Sequence, residues 1–132
     1  HMIIKHEYLC DSGGPGHWRG GLGTETQILL RGDETTMVVF GDGDVEPNYG
    51  LFGGKGSVLN RIELRYPNGK KKIPKSKDMV HGIPDGTVYH QIAGGGGGYG
   101  RPKKRPREKI AQDVRNGVVS KRAAREIYGF KS

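Results

Sequence analysis

Short apolar segments separated by glycine-containing turns dominate the first hundred positions of the chain. In residues 58–66, Ile62, Leu64 and Tyr66 alternate with charged residues, and this period of two is typical of a half-buried β-strand. Other segments are rich in Thr, Val, Ile and Leu, which favour strands. We therefore predict strands at residues 3–9, 24–31, 34–40, 58–66, 70–73 and 87–92.

Two dipeptides predict where the chain reverses between neighbouring strands. Gly32-Asp33 separates residues 24–31 from residues 34–40, and Gly supplies the positive φ of a two-residue turn. Asn68-Gly69 suits a type I′ turn before residues 70–73, whose lysines mark a solvent-facing edge. Each dipeptide therefore predicts a β-hairpin.

Beyond residue 100 the pattern changes to that of two short helices. Residues 106–115 form the first, which ends at Asn116-Gly117, and the second is capped by Ser120 and ends at Gly129. Their apolar stripes can pack on each other or on the sheet. The fold class we predict is mainly β (α+β), a small sandwich or barrel-like antiparallel sheet with Gly-rich loops and two short C-terminal helices.

Length and composition predict one small domain. The chain has 132 residues, of which 24 are Gly and seven are Pro. We interpret residues 1–2 as a cloning scar before a single C-terminal domain at 3–132, with a β-rich part at 3–100 and a basic linker and helical tail at 101–132. A single cysteine and the lack of a membrane-length apolar run favour a soluble protein of the cytoplasm.

The net charge of +8 is concentrated in the last quarter of the chain. Residues 1–100 contain 11 basic and 11 acidic side chains, whereas residues 101–132 contain 11 basic and three acidic ones. The run at residues 101–109 could bind nucleic acid, lie in a solvated linker or dock on an acidic partner. Nucleic acid is disfavoured because no aromatic residue interrupts the run.

Three local motifs are rejected as catalytic or metal sites. Residues 11–15 match the nucleophile segment of chymotrypsin-like proteases. In that fold the His base and the Asp that orients it come earlier in the chain than the nucleophile, and too few residues precede Ser12 to supply them. Residues 50–57 resemble a phosphate-binding loop, yet Lys55 is not followed directly by Ser or Thr. Residues 42–46 lack the later glutamate of a calcium loop, and His81 and His90 match no metal spacing, so we predict no metal site.

Four glycine-containing segments in order give a resemblance that no single motif gives. They are DSGGPG leading to RGGLG at residues 11–23, YGLFGG at 49–54, GGGGYG at 95–100, and DVRNG with AAREIYG at 113–129. Together they resemble the C-terminal end of the hydantoinase B/oxoprolinase family, and the resemblance extends from about residue 8 to residue 130.

The resemblance implies the C-terminal domain of the B-type subunit of an ATP-dependent enzyme that opens cyclic amides such as N-methylhydantoin or 5-oxoproline. It implies two partners, the upstream part of the same subunit and an A-type ATP-binding subunit. ATP and a divalent metal are implied for the parent complex, with no cofactor in this segment. The family's metal ligands lie upstream, so no catalytic residue is carried over. The domain alone is expected to be inactive.

Glycine clustering suggests where a ligand or interface could lie. If the three glycine loops, at residues 13–23, 50–56 and 94–100, converge at one end of the sheet, their backbone could approach a substrate or another domain. Packing against the missing upstream domain is the favoured of these two readings. Arg19 and Lys55 would supply positive charge. Hydrogen bonds would come from Asp11, Tyr49 and Tyr99. The ligand- or interface-binding candidates are Asp11, Ser12, Arg19, Tyr49, Lys55 and Tyr99.

The main hypothesis is therefore a domain that contributes to assembly of such a hydrolase or to the edge of its active site. One alternative is the equivalent domain of an acetone or acetophenone carboxylase subunit. A second is a nucleic-acid-binding module that uses residues 101–109. A third is a purely structural role in subunit assembly.

Overall fold

The computed structural model describes residues 1–131 and contains seven strands, one 3₁₀ helix and two α-helices. The strands are β1 (Met2–Tyr8), β2 (Thr24–Leu29), β3 (Thr35–Phe40), β4 (Arg61–Arg65), β5 (Lys71–Lys72), β6 (Lys77–Ile83) and β7 (Val88–Ala93). The 3₁₀ helix is Pro102–Lys104, followed by α1 (Arg107–Arg115) and α2 (Lys121–Glu126). No helix within residues 1–131 is long and apolar enough to cross a membrane.

The strands form two antiparallel sheets. Five strands lie in the order β1-β2-β7-β4-β5, and β3 pairs with β6 in a separate two-stranded sheet. Leu30 directly after β2, Leu64 in β4, and Val80 and Ile83 in β6 form one buried cluster. Because apolar side chains of both sheets meet there, this cluster holds the two layers together. The predicted fold class, mainly antiparallel β with two short C-terminal helices, is confirmed.

The alternation in β4 has the predicted consequence on one face and a different one on the other. Leu64 is fully buried and Ile62 is partly buried, as their positions predict. Glu63 is also buried, although a half-buried strand would expose it. The reason is that Arg61, Arg65 and Lys71 surround its carboxylate with nitrogen atoms at 2.6–3.6 Å.

The hairpin predicted across Gly32-Asp33 is wrong. β2 pairs with β1 and β7, whereas β3 pairs with β6 in the other sheet. The backbone N–H of Gly32 donates to the Asp85 side chain at 2.9 Å, so the chain crosses between sheets here instead of folding back. β6 was not predicted, and it supplies β3 with the partner that the hairpin would have given.

The second predicted hairpin is present, but its turn is not of type I′, because Gly69 has a positive φ and Asn68 does not. The backbone N–H of Tyr66 donates to the carbonyl of Lys70 at 2.8 Å, and β4 pairs with β5. Gly69 has a φ of +82°, the conformation for which glycine was expected at this turn. The returning strand is short, with only Lys71 and Lys72 in the ladder.

The helical tail packs mainly on itself. Ser120 caps α2 by accepting a hydrogen bond from the Ala123 N–H at 3.0 Å, as predicted. Gly129, which was expected to end this helix, has a φ of +67°. The two helices share one buried cluster, formed by Ile110, Val119, Ala123, Ala124 and Tyr128.

Candidate docking face on the glycine loops

The three glycine loops converge, as the sequence suggested. Residues 94–98 continue from β7 and run between the loop at residues 11–23 and the loop at residues 48–57. Backbone hydrogen bonds join all three loops at 2.7–3.0 Å, namely Gly14 N to Gly96 O, Gly96 N to Gly21 O, Gly98 N to Lys55 O, Leu51 N to Gly98 O and Lys55 N to Pro15 O. We call these three hydrogen-bonded segments the glycine cluster.

Backbone packs directly on backbone in the glycine cluster. A Cβ atom added at Gly20 would lie 1.9 Å from the carbonyl oxygen of Gly96, and one added at Gly97 would lie 1.8 Å from that of Tyr49. Neither distance is compatible with a side chain. The close approach that glycine permits is therefore made between the loops themselves.

Two of the predicted candidates have structural hydrogen bonds. Ser12 is fully buried, and its hydroxyl donates to the Leu9 carbonyl at 2.5 Å and accepts from the Gly23 N–H at 2.8 Å. Asp11 accepts from the backbone N–H of Ser120 at 2.8 Å. Ser12 thus joins the two ends of the first glycine loop, and Asp11 fixes the start of α2 to that loop.

Arg19 does not present free positive charge. Its guanidinium contacts the carboxylate of Asp113 on α1 at 3.3–3.4 Å, and Arg105 binds the same carboxylate at 2.8 Å. The three side chains are largely buried, with 17%, 10% and 8% exposure for Arg19, Asp113 and Arg105. A buried carboxylate between two guanidinium groups is a strong charge-assisted contact. Arg19 therefore fastens the helical tail to the glycine cluster.

The remaining candidates lie on the outer surface of the glycine cluster. Tyr49, Lys55 and Tyr99 are exposed. The backbone of Tyr99 pairs with that of Trp18 through two hydrogen bonds at 2.9–3.0 Å, and its ring lies 5.1 Å from that of Phe52. We name one surface the aromatic face; it consists of Trp18, Leu51, Phe52 and Tyr99, whose side chains are 49–76% exposed.

Phe52 is held outward by a turn that a bulky residue disfavours. Its φ is +51° and that of Gly53 is +89°, while Gly54 donates to the Leu51 carbonyl at 2.9 Å. These values are those of a type I′ turn, whose first central position favours Asn, Asp or Gly. A left-handed conformation costs a residue such as Phe about 1 kcal/mol. Strain together with 76% exposure of an aromatic ring is typical of a functional position.

Basic side chains border the aromatic face. The Lys109 ammonium lies 4.8 Å from the centroid of the Trp18 ring, a cation–π contact, and Arg101 packs against Gly53. No aromatic residue lies within the basic run itself, but the fold brings the Trp18 ring beside Lys109. Trp18 was not among the predicted residues, because the contact joins positions 91 residues apart in the chain.

A second polar group of side chains lies on the five-stranded sheet, away from any predicted site. His90 lies 2.8 Å from both the Glu25 carboxylate and the Arg65 guanidinium. The hydrogen bond from Lys5, together with those from Gln27 and His90, lowers the pKa of Glu25 to about 2. Because these side chains are hydrogen-bonded to one another, they cross-link neighbouring strands. Within residues 1–131 there is no group of three His, Cys, Asp or Glu side chains that could hold a metal ion.

Comparison with known proteins decides the family. The sequence profile of hydantoinase B/oxoprolinase matches residues 1–102. The chain belongs to the hydantoinase B/oxoprolinase family. The match includes all three segments of the glycine cluster, so the resemblance inferred from the order of the glycine motifs is confirmed.

The known proteins that the chain resembles are much longer than the chain. The chain is 35% identical to caprolactamase subunit beta of Pseudomonas jessenii over 132 residues, covering 97% of the chain and 22% of that subunit. It is 26% identical to the acetone carboxylase alpha subunit of Xanthobacter autotrophicus over 161 residues, covering 97% of the chain and 21% of that subunit. The chain thus spans about a fifth of the length of these relatives.

A solved structure supports the same assignment. The crystal structure of the ATP-dependent caprolactamase from Pseudomonas jessenii superposes with a TM-score of 0.77 at 28% identity. The superposition covers 98% of the chain and 23% of the caprolactamase chain. The fold of the chain is therefore shared with part of the caprolactamase chain.

Proposed function

We propose that the chain is the C-terminal domain of the B-type subunit of an ATP-dependent cyclic-amide hydrolase, and that its aromatic face docks on the rest of the same subunit. The identity with caprolactamase subunit beta supports the hydrolase part of the proposal. The relatives exceed the chain by roughly four times its own length. We propose that this additional part of the subunit covers the aromatic face.

The observation that carries the docking role is the outward-held ring of Phe52. Four large side chains lie together on the aromatic face, and one of them occupies a strained turn position. Aromatic anchors surrounded by basic and polar groups are typical of the centre of protein interfaces. Leaving such a group in water is unfavourable, and covering it with another domain removes that penalty.

Direct participation in chemistry has less support in the geometry. Of the candidates that could handle a substrate, Ser12 is fully buried and Arg19 is paired with Asp113. Lys55, Tyr49 and Tyr99 are exposed and remain available at the edge of an active site formed with other domains. We assign ATP, a divalent metal and an A-type ATP-binding partner to the parent assembly and not to this domain.

The similarity to the acetone carboxylase alpha subunit favours one second candidate, the equivalent domain of a ketone carboxylase. An assay of the parent complex separates the two. A hydrolase consumes ATP when given a lactam, a hydantoin or 5-oxoproline, whereas a carboxylase consumes ATP when given acetone and bicarbonate. The docking role of the aromatic face is the same in both cases.

Phe52→Asn in the 132-residue chain tests the docking role. Asn tolerates a positive φ, so we expect the isolated domain to gain about 1 kcal/mol of stability while the domain's association with the rest of the subunit weakens about tenfold or more. Stability is measured by urea unfolding of the isolated domain. Association is measured by titrating that domain into the remainder of the subunit, prepared as a separate chain.

Phe40→Asn is the matched control, because Phe40 is an 85% exposed aromatic residue on β3, outside the aromatic face. It should leave association unchanged. Unchanged association in the Phe52 variant would contradict the docking role. Loss of turnover with intact association would instead place the aromatic face at the active site.

A further inference from the structure

The helical tail carries a cation-rich surface, of which Arg101 and Lys109 border the aromatic face. Within residues 101–131 ten Lys and Arg side chains are exposed, whereas only Glu108 and Glu126 are exposed acidic residues. The third carboxylate, Asp113, is buried between Arg19 and Arg105 and cannot offset the surface charge. This imbalance favours an anionic partner.

One part of this surface is concave and has an apolar floor. A cavity of about 490 Å³ lies between the end of α1, the outer side of α2 and the C-terminal residues. It is lined by three apolar and three basic residues, Val114, Ala124, Phe130, Lys121, Arg125 and Lys131. None of the lining residues is acidic. Within residues 1–131, no carboxylate lies within 4 Å of the three cations.

The floor of the cavity is fixed by contacts within the tail. The backbone N–H of Phe130 donates to the Ala124 carbonyl at 2.9 Å, which holds Phe130 against α2. The Arg107 guanidinium lies 5.1 Å from the Phe130 ring centroid, and the backbone of Lys131 accepts from Arg107 at 2.6 Å. The cavity is therefore formed before any partner binds, which lowers the entropy lost on binding.

We propose that this cavity docks an acidic amphipathic segment of a partner protein, with one apolar side chain on the floor and carboxylates against Lys121, Arg125 and Lys131. Charge complementarity selects the carboxylates, and the apolar floor selects a peptide over a polyphosphate. Stacking of a nucleobase is disfavoured because the Phe130 ring is already in contact with Arg107. The proposal uses no residue of the aromatic face and does not rest on the function proposed above.

The probe is a fluorescent synthetic peptide in which a central Leu-Phe pair is flanked by Asp and Glu. Its binding to the 132-residue chain is followed by anisotropy at low ionic strength. A second peptide keeps the acidic residues but replaces Leu-Phe by Gly-Ser, and a single-stranded oligothymidylate represents nucleic acid. We expect the Leu-Phe peptide to bind about tenfold more tightly than the Gly-Ser peptide.

Two double variants with the same loss of charge locate the binding site. Lys121→Gln with Arg125→Gln removes two cations from the cavity and should weaken binding of the Leu-Phe peptide about tenfold. Lys103→Gln with Arg122→Gln removes two exposed cations outside the cavity and should weaken it about twofold. Since all four side chains are exposed, neither pair should alter thermal unfolding measurably.

Four results would overturn the proposal. They are no peptide binding at low salt, equal affinity for the two peptides, equal losses in the two double variants, and displacement of the Leu-Phe peptide by oligothymidylate with a steep salt dependence. The last of these would identify the cation-rich surface as a nucleic-acid site. Phe52→Asn should not change peptide affinity, so failure here is distinguishable from failure of the docking role of the aromatic face.

Discussion

The buried cluster between the two sheets and the glycine cluster stabilise the same domain by different means. Between the sheets, Leu64 and Ile83 are fully buried and fill the interior with side chains. In the glycine cluster, three backbones lie in contact and hydrogen bonds replace side-chain packing. Removing side-chain volume therefore destabilises the first region, whereas adding side-chain volume destabilises the second.

This difference explains how a chain with 24 glycines forms an ordered domain. Glycine loses much conformational entropy on folding, so a glycine-rich loop is ordinarily mobile. Here the backbone N–H and carbonyl groups of the three loops form hydrogen bonds with one another. Because their polar groups are paired, the loops can pack together without side chains. The outer surface of this packed backbone is where the aromatic face lies.

The largest effect should come from adding one methyl group to the glycine cluster. Gly20→Ala places a Cβ 1.9 Å from the Gly96 carbonyl oxygen, and we expect at least about 4 kcal/mol of destabilisation in urea unfolding. Gly21→Ala is the matched control at the next position, because its Cβ would meet nothing within 4 Å and its φ is not positive. Similar stability for the two variants would show that the loops are not packed as described.

A smaller effect is expected from removing volume between the sheets. Leu64→Ala should lower the free energy of unfolding by about 3 kcal/mol through lost burial and a residual cavity. Near-UV circular dichroism should retain the signal of Trp18, since the buried cluster between the sheets does not contain this side chain. A variant that loses less than about 1 kcal/mol would mean that the two sheets are not held by this cluster.

Local patterns in the sequence predicted most elements but not their partners. The alternation of β4, the Asn68-Gly69 turn and the Ser120 cap depend on neighbouring residues, and each is present. The Gly32-Asp33 turn signal says nothing about which strand pairs with which, and β2 pairs with strands distant in sequence. β6 was missed because its interior contains Gly82, which has a φ of +64°.

The candidate residues were found by their position near glycines, and their roles depend on contacts that the sequence does not display. Arg19 is paired with Asp113, 94 residues away, so its guanidinium anchors the helical tail. Phe52 lies within the YGLFGG segment and Trp18 between two quoted segments, but neither was chosen as a candidate. One signal was available for Phe52, since the Leu51-Phe52-Gly53-Gly54 segment places a bulky residue directly before two glycines at an exposed turn.

Amide hydrogen exchange of the glycine cluster tests the central claim that its three loops are packed as tightly as a core. The amides of Gly14, Gly96 and Gly98 donate to backbone carbonyls of other loops at 2.8–3.0 Å. We predict that they exchange as slowly as the amides of β7, at least about a thousandfold more slowly than exposed loop amides such as that of Asp44. Exchange of the three glycine amides at the rate of Asp44 would contradict the claim.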